Sequence, residues 1–184
     1  MLIGDKVTLG PVLNGDGAML FNWFNHLGLA ATNGSFRPVD ETKFSQWIAG
    51  LGNDVARVTF AIRANQLLRL LGYVQITNIN AVVRSAEIGV AIGEAKDRGQ
   101  GFGQEALTLA LRYCWSELNL RRVTLFVLSN NPAALHVYRK VGFETEGLLR
   151  QAAYTNGQFH DVTVMAMLRP QENPPTAPVQ LLKS

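Results

Sequence analysis

Glu87-Ile88-Gly89-Val90-Ala91-Ile92-Gly93-Glu94-Ala95-Lys96-Asp97-Arg98-Gly99-Gln100-Gly101-Phe102-Gly103-Gln104-Glu105 is the stretch on which the reading of the chain turns. Its apolar run from Ile88 to Ile92 reads as a strand. Gly99, Gly101 and Gly103 punctuate a turn, and a long amphipathic segment begins near Gln104. Glycines at alternate positions lack Cβ atoms and accept positive φ. Consecutive N–H groups can therefore face one concavity, just where a helix leaves its first amides unpaired. Such a place binds a phosphate or pyrophosphate; a glycine turn can equally serve close strand–helix packing, and the spacing alone leaves both readings open. A Walker loop is excluded, because Gly103-Gln104-Glu105 lacks the Lys-Ser or Lys-Thr pair. Gly101-x-Gly103-x-x-Ala106 fits the dinucleotide spacing, but that fold needs an acid about 20 positions on, at the end of the next strand. The next strand here runs out into Ser129-Asn130-Asn131.

Around this centre, 184 residues at 47% hydrophobic content suffice for one domain with a core, expected over residues 1–169, followed by a Pro-rich tail over 170–184. The net charge of +3 is spread along the chain apart from the pair Arg121-Arg122, so no basic stripe marks a nucleic-acid footprint. One cysteine excludes an internal disulfide framework, and no apolar run approaches the ~18 residues of a membrane span. A cytoplasmic protein with no nucleic-acid or membrane partner is expected. No metal-ligand cluster and no Ser/His/Asp grouping is evident.

Taken in order, residues 6–12 read as a first strand broken at Pro11. Asp16 is placed to cap a helix carrying Met19, Leu20, Trp23, Phe24 and Leu27, with Gly28 as its stop. A polar loop follows. Asp40-Glu41 then opens a second helix with Phe44, Trp47, Ile48 and Leu51 on one face. The aromatic residues of these helices could line an acceptor pocket or simply fix the helices to a sheet. Residues 56–63, 68–77 and 84–93 form an antiparallel meander with turns at 64–66 and 78–81. Ala106, Leu107, Ala110, Leu111, Cys114 and Leu118 make an inward stripe on the next helix, which assigns Cys114 to packing. The strand at 123–128 is apolar enough to be buried on both faces beside a parallel neighbour, completing one βαβ unit. Asn131-Pro132 starts a helix that stops at Gly142, residues 143–150 resume strand character, and Asn156-Gly157 turns the chain into a last strand at 162–168.

Two blocks carry a family resemblance. Arg98-Gly99-Gln100-Gly101-Phe102-Gly103 resembles the Arg/Gln-x-x-Gly-x-Gly/Ala signature of the GNAT N-acetyltransferases, and Asn131-Pro-Ala-Ala134-Leu-His-Val-Tyr138-Arg-Lys140-Val-Gly142-Phe143 resembles their Asn-x-x-Ala-x-x-x-Tyr-x-Lys-x-Gly-Phe block. Glu87-Ile88-Gly89 and the Gly157 to Asp161 turn are similar to the ribosomal-protein N-terminal acetyltransferase branch. The resemblance covers residues 5–168 and is loosest before Ala56. It implies an α/β (α+β) fold: a mixed, mostly antiparallel twisted sheet of about seven strands, about four helices and one central parallel βαβ unit.

It also implies acetyl-CoA as co-substrate, with no metal, and an amine acceptor such as a protein N-terminus or a small molecule, attacking the thioester directly. Loop amides from Arg98 through Gly99, Gln100, Gly101, Phe102 and Gly103 to Gln104 would hold the pyrophosphate. Val90, Ala91 and Ile92 would pair with the pantetheine arm, with Gly89 and Gly93 suited to a bulge or close approach. Tyr138 matches the family's general acid. Asn131 could hold the pantetheine or a water, cap its helix, or do both. Glu87 could accept the amine proton or be a solvated strand residue. His136, two helical positions from Tyr138, points about 160° away from it, and His160 could touch the acceptor or lie on the surface. The alternative function is a non-catalytic acyl-CoA-binding or regulatory module; a free strand edge or the tail could support a homodimer.

Overall fold

The computed structural model describes residues 1–30 and 37–170. Eight strands form one sheet: β1 (Leu2–Ile3), β2 (Val7–Gly10), β3 (Val58–Ala64), β4 (Leu70–Asn80), β5 (Ser85–Ile92), β6 (Arg122–Leu128), β7 (Glu144–Thr155) and β8 (Gln158–Leu168), in the order β1-β2-β3-β4-β5-β6-β8-β7. Every neighbouring pair is antiparallel except β5 with β6. The helices are α1 (Gly17–Phe24), α2 (Leu27–Ala30), α3 (Glu41–Gly50), α4 (Phe102–Ser116) and α5 (Pro132–Val141). The mixed sheet with its βαβ unit β5–α4–β6 is as expected, with one strand and one helix more than read from the sequence. The loop ahead of Arg37 and the tail beyond Pro170 fall outside the described residues.

Side-chain alternation divides the core between the two faces of the sheet. On one face Val74, Ile76, Ala86, Ile88, Val123, Leu125 and Val127 meet Ala106, Leu107, Ala110, Leu111 and Cys114 of α4 and Leu135 and Tyr138 of α5. Cys114 is fully buried there, and burial pushes its thiol up to about 12, in keeping with a packing role. On the other face Ala61, Leu70 and Tyr73 meet Leu20 and Trp23 of α1 and Phe44 and Trp47 of α3. Phe24 sits among Phe44, Trp47 and Tyr73, with ring centroids 4.9–5.7 Å away, so these aromatics fix the helices to the sheet. The cover is incomplete over β6, where Phe126 is 50% exposed although Leu128 on the same face is buried, so the strand is less fully covered on its second face than the sequence reading expects.

Three boundaries moved for local reasons. The first helix breaks at Asn25, whose side chain bonds the carbonyls of Phe21 and Val39 and accepts from the Val39 amide, in competition with the helical ladder. Gly28 consequently lies inside α2 and stops nothing. The β4–β5 turn falls later than expected because Asn80, not Asn78, accepts the amides of Val82 and Val83. At Asn156-Gly157 both residues have positive φ (50° and 77°) and Thr155 pairs with Gln158, so the two-residue turn starts β8 four residues before the expected position.

Asp16 does not cap α1. Its carboxylate accepts from the Leu13 amide at 2.7 Å and pairs with Arg63 through contacts of 3.0 and 2.5 Å, both side chains being nearly buried. Removing one partner of a buried pair leaves the other charge uncompensated. Asp16→Ala is therefore expected to lower stability by about 3–5 kcal/mol, read as an earlier midpoint in urea denaturation.

Candidate active site

β5 and β6 are in register only at Ser85/Arg122, Ala86/Val123 and Glu87/Thr124. Beyond that point β5 stays paired to β4 as far as Ile92, while β6 stays paired to β8 as far as Leu128. The two parallel strands part in the middle of the sheet. Gly93 donates to the Leu71 carbonyl, so by alternation the main-chain groups of Ala91 and Gly89 face β4, and those of Val90 and Ile92 face the opening. Ala91 thus cannot offer its backbone to the opening, which leaves Val90 and Ile92 of the three residues expected to line it. No bulge occurs at Gly89. Gly93 is a close approach, since a Cβ there would lie 2.0 Å from the Trp23 ring, whose Nε1 donates to Glu94 at 2.9 Å.

The glycine turn completes the opening. Gly99 and Gly101 have φ of 75° and 84°, and Gly101 is the N-cap of α4. The first helical bond runs from the Glu105 amide to the Gly101 carbonyl. Among the described residues, the amides of Gly99, Gln100, Gly101, Phe102, Gly103 and Gln104 have no main-chain acceptor. The Arg98 amide is not among these free groups, because it bonds Ala95 O at 3.2 Å. Its guanidinium instead closes the end of β5, donating to the carbonyls of Ile92 (3.2 Å) and Gly93 (2.8 Å).

Behind the turn, Arg69 forms a two-pronged bond to buried Asp97 at 2.7 and 2.9 Å. These hydrogen bonds hold the Asp97 carboxyl below the usual carboxylate range and raise Arg69. The Glu105 carboxylate takes the amides of Asp5 and Lys6, tying the β1–β2 connection to the first turn of α4, and the Lys6 Nζ donates to Gln100 O at 3.1 Å. None of these braces was foreseen. Lys6 and Gln100 lie 94 positions apart, and no local pattern announces such a pairing.

Tyr138 is 8% exposed, packs edge-on to Phe143 at 6.0 Å, and its hydroxyl makes no hydrogen bond among the described residues; burial raises its pKa. It joins the same core cluster as Val90, Ile92 and Phe102. Asn131 caps α5, its Oδ1 accepting from Ala134 at 3.1 Å, which leaves its Nδ2 available. Half-buried Glu87 lies on the opposite face of the sheet, the face of Tyr73 and Ala61, and its carboxylate makes no bond among the described residues. His136 is exposed, pointing away from Tyr138. His160 is engaged by Asn130 (3.1 Å) and Thr155 O (3.3 Å), while Asp161 accepts the Gln151 amide, so both serve the β7–β8 hairpin. Near Glu87's face, Trp47, Gly50, Leu51, Gly52, Asp54, Arg57 and Thr59 surround a hollow of about 200 Å³. Among the described residues no group of three or more His, Cys, Asp or Glu could hold a metal ion, and no helix is long and apolar enough to cross a membrane.

The sequence profile of the acetyltransferase (GNAT) domain matches residues 6–144. The chain belongs to the GNAT acetyltransferase family. Among curated relatives, the spermidine N(1)-acetyltransferase of Vibrio cholerae is 37% identical over 100 residues, 54% of this chain and 57% of that protein. The ribosomal-protein-serine acetyltransferase of Escherichia coli is 30% identical over 99 residues, 54% of this chain and 55% of that protein. The chain thus spans little more than half the length of these curated relatives. Among solved structures, the V. cholerae spermidine N-acetyltransferase in complex with CoA and spermine superposes with a TM-score of 0.80 at 28% identity, covering 89% of this GNAT chain and 95% of that one.

The Arg69–Asp97 brace sets a pH dependence. A carboxyl with a lowered folded pKa contributes stability that is fully present above the unfolded value, about 3.9, and lost as pH falls through the folded value. Asp97→Asn is expected to destabilise the protein by about 1–3 kcal/mol at pH 7. In scanning calorimetry the gap between parent and variant melting temperatures should close below about pH 4.

Proposed function

We propose that this GNAT chain is an acetyl-CoA-dependent N-acetyltransferase that transfers the acetyl group to a primary amine by direct attack on the thioester. The observation that carries the reading is the parting of β5 and β6 in front of a loop whose amides from Gly99 to Gln104 are unpaired. A pantetheine arm carries amides of its own and can add along the open edge at Val90 and Ile92, as an extra strand would. The diphosphate then lies on the loop amides and the α4 N-terminus. This places the thioester in the opening, where a strand amide can steady the oxyanion of the tetrahedral intermediate, a contribution of about 10²–10³ in rate.

The two faces of the sheet divide the proton chemistry. The amine enters from the side of α1 and α3, where Glu87 takes its proton directly or through water. Nitrogen bonds to the acetyl carbon, the C–S bond breaks, and Tyr138 on the other face delivers its proton to the departing thiolate. Burial keeps the Tyr138 hydroxyl protonated until that moment.

Most of the acids around the acceptor side are already engaged, Glu41 and Glu87 excepted, which favours a monoamine or a peptide N-terminus over a polycation. Asp16 is committed to Arg63, Asp40 caps α3 by accepting the Lys43 amide, and Glu94 is held by Trp23. The spermidine relatives make a polyamine the competing acceptor.

An amine panel offered with acetyl-CoA while free thiol is monitored tests the function and ranks acceptors. Thiol release with amines is expected, and strongest release with spermidine would replace the monoamine reading. CoA binding without thiol release would instead establish the non-catalytic module. Tyr138→Phe is expected to lower kcat by about 10²–10⁴ with little change in acetyl-CoA affinity; unchanged kcat would remove the tyrosine from the mechanism.

A further inference from the structure

Lys6 immediately precedes β2, far in sequence from the glycine turn, yet its side chain ends on that turn. The residue is clamped at three points. Its amide donates to the Glu105 carboxylate at 3.0 Å, its carbonyl accepts from the Asn65 amide at 3.0 Å, and its Nζ donates to Gln100 O at 3.1 Å. A Cβ built on Gly101 would stand 3.2 Å from Nζ, so the ammonium occupies space beside the turn that any other residue at that position would crowd. One of its three N–H donors is used by Gln100, and two remain for a ligand lying on the turn.

Two other cations nearby are employed differently, and Lys96 stands exposed in the turn ahead of Arg98. Arg98 spends its guanidinium on the carbonyls of Ile92 and Gly93, and Arg69 is bound to Asp97 behind the turn. Neutral amides and the end of a helix supply only partial positive charge to a diphosphate. A compact ammonium fixed at the rim supplies a whole one, which is how lysine binds phosphate elsewhere.

We infer that Lys6 is a phosphate-binding residue of this site, its ammonium pairing with the pyrophosphate of the coenzyme alongside the loop amides. The inference rests on the acetyl-CoA reading given above. It gives Gly101 a second requirement besides positive φ, and it makes the N-terminal hairpin part of the coenzyme site through Glu105.

Calorimetric titration with CoA, 3′-dephospho-CoA and pantetheine separates the possibilities. Lys6→Gln is expected to weaken CoA and 3′-dephospho-CoA alike by about 10- to 100-fold, while pantetheine, which has no phosphate, binds parent and variant equally. Lys6→Arg, which keeps the charge, should recover most of the loss, and a melting curve near the parent's shows the fold intact. Salt should weaken CoA binding to the parent more steeply than to Lys6→Gln. Equal CoA affinity in parent and Lys6→Gln would overturn the inference. So would a loss that extends to pantetheine, or one that disappears with 3′-dephospho-CoA. A parent protein that fails to bind CoA at all would overturn the coenzyme reading itself, an outcome distinct from failure of the lysine alone.

Discussion

Three residue pairs of parallel ladder, Ser85 to Glu87 against Arg122 to Thr124, hold the two halves of this sheet together before the strands separate. Each strand keeps its other partner: β5 continues on β4 and β6 on β8. A sheet this wide is already twisted, and the separation falls at the one parallel pair among the described strands. Its consequence is an interior strand edge with unpaired main-chain groups, a situation that folded proteins rarely leave without a partner. Loop amides standing free at the head of α4 set the same condition a few residues on. One extended ligand bearing amides along one part and a diphosphate at the other would satisfy both, which is why the GNAT relationship and the geometry point to the same proposed coenzyme.

The surroundings of the opening are stiffened by groups drawn from distant parts of the chain. Trp23 of α1 packs on Gly93 and bonds Glu94, so the acceptor-side helix is fixed to the end of β5. Asp97 is anchored to Arg69 of the β3–β4 hairpin, and Glu105 gathers the β1–β2 connection. A turn made of glycine main chain has little intrinsic rigidity, because positive-φ glycines leave many conformations open in the unfolded state. The side-chain braces supply what the glycines give away.

The fold was largely legible from local chemistry. Glycine at 101, Pro132 after Asn131, Gly142 and Asn156-Gly157 each do what their backbone preferences suggest. Where the helix readings failed, a competing hydrogen bond explains it. Asn25 broke a helix that hydrophobic spacing continued, and Asp16 found Arg63 in place of a helix amide. The candidate site was legible in part. The glycine turn stands out by its spacing, Tyr138 and Asn131 through a family block, and the structure gathers Tyr138 with Val90 and Ile92. Ala91 faces away, Arg98 uses its amide locally, and the contact of Lys6 with the turn went unseen, because strand parity and contacts across 94 positions leave no mark in a local pattern.

The placement of Glu87 and Tyr138 on opposite faces bears on the proposed chemistry. An acid and a base side by side would share a proton and blunt each other, as coupled groups do. Here the sheet itself lies between them, with β5 contributing Glu87 to one face and α5 contributing Tyr138 to the other. Tyr138 sits in an apolar cluster that favours its neutral form, while Glu87 is half-buried beside a face that the helices leave partly uncovered. An amine arriving on one side and a thiolate leaving on the other would then each meet the group suited to it. The gap between β5 and β6 would join the two, and the acetyl carbon would stand in it.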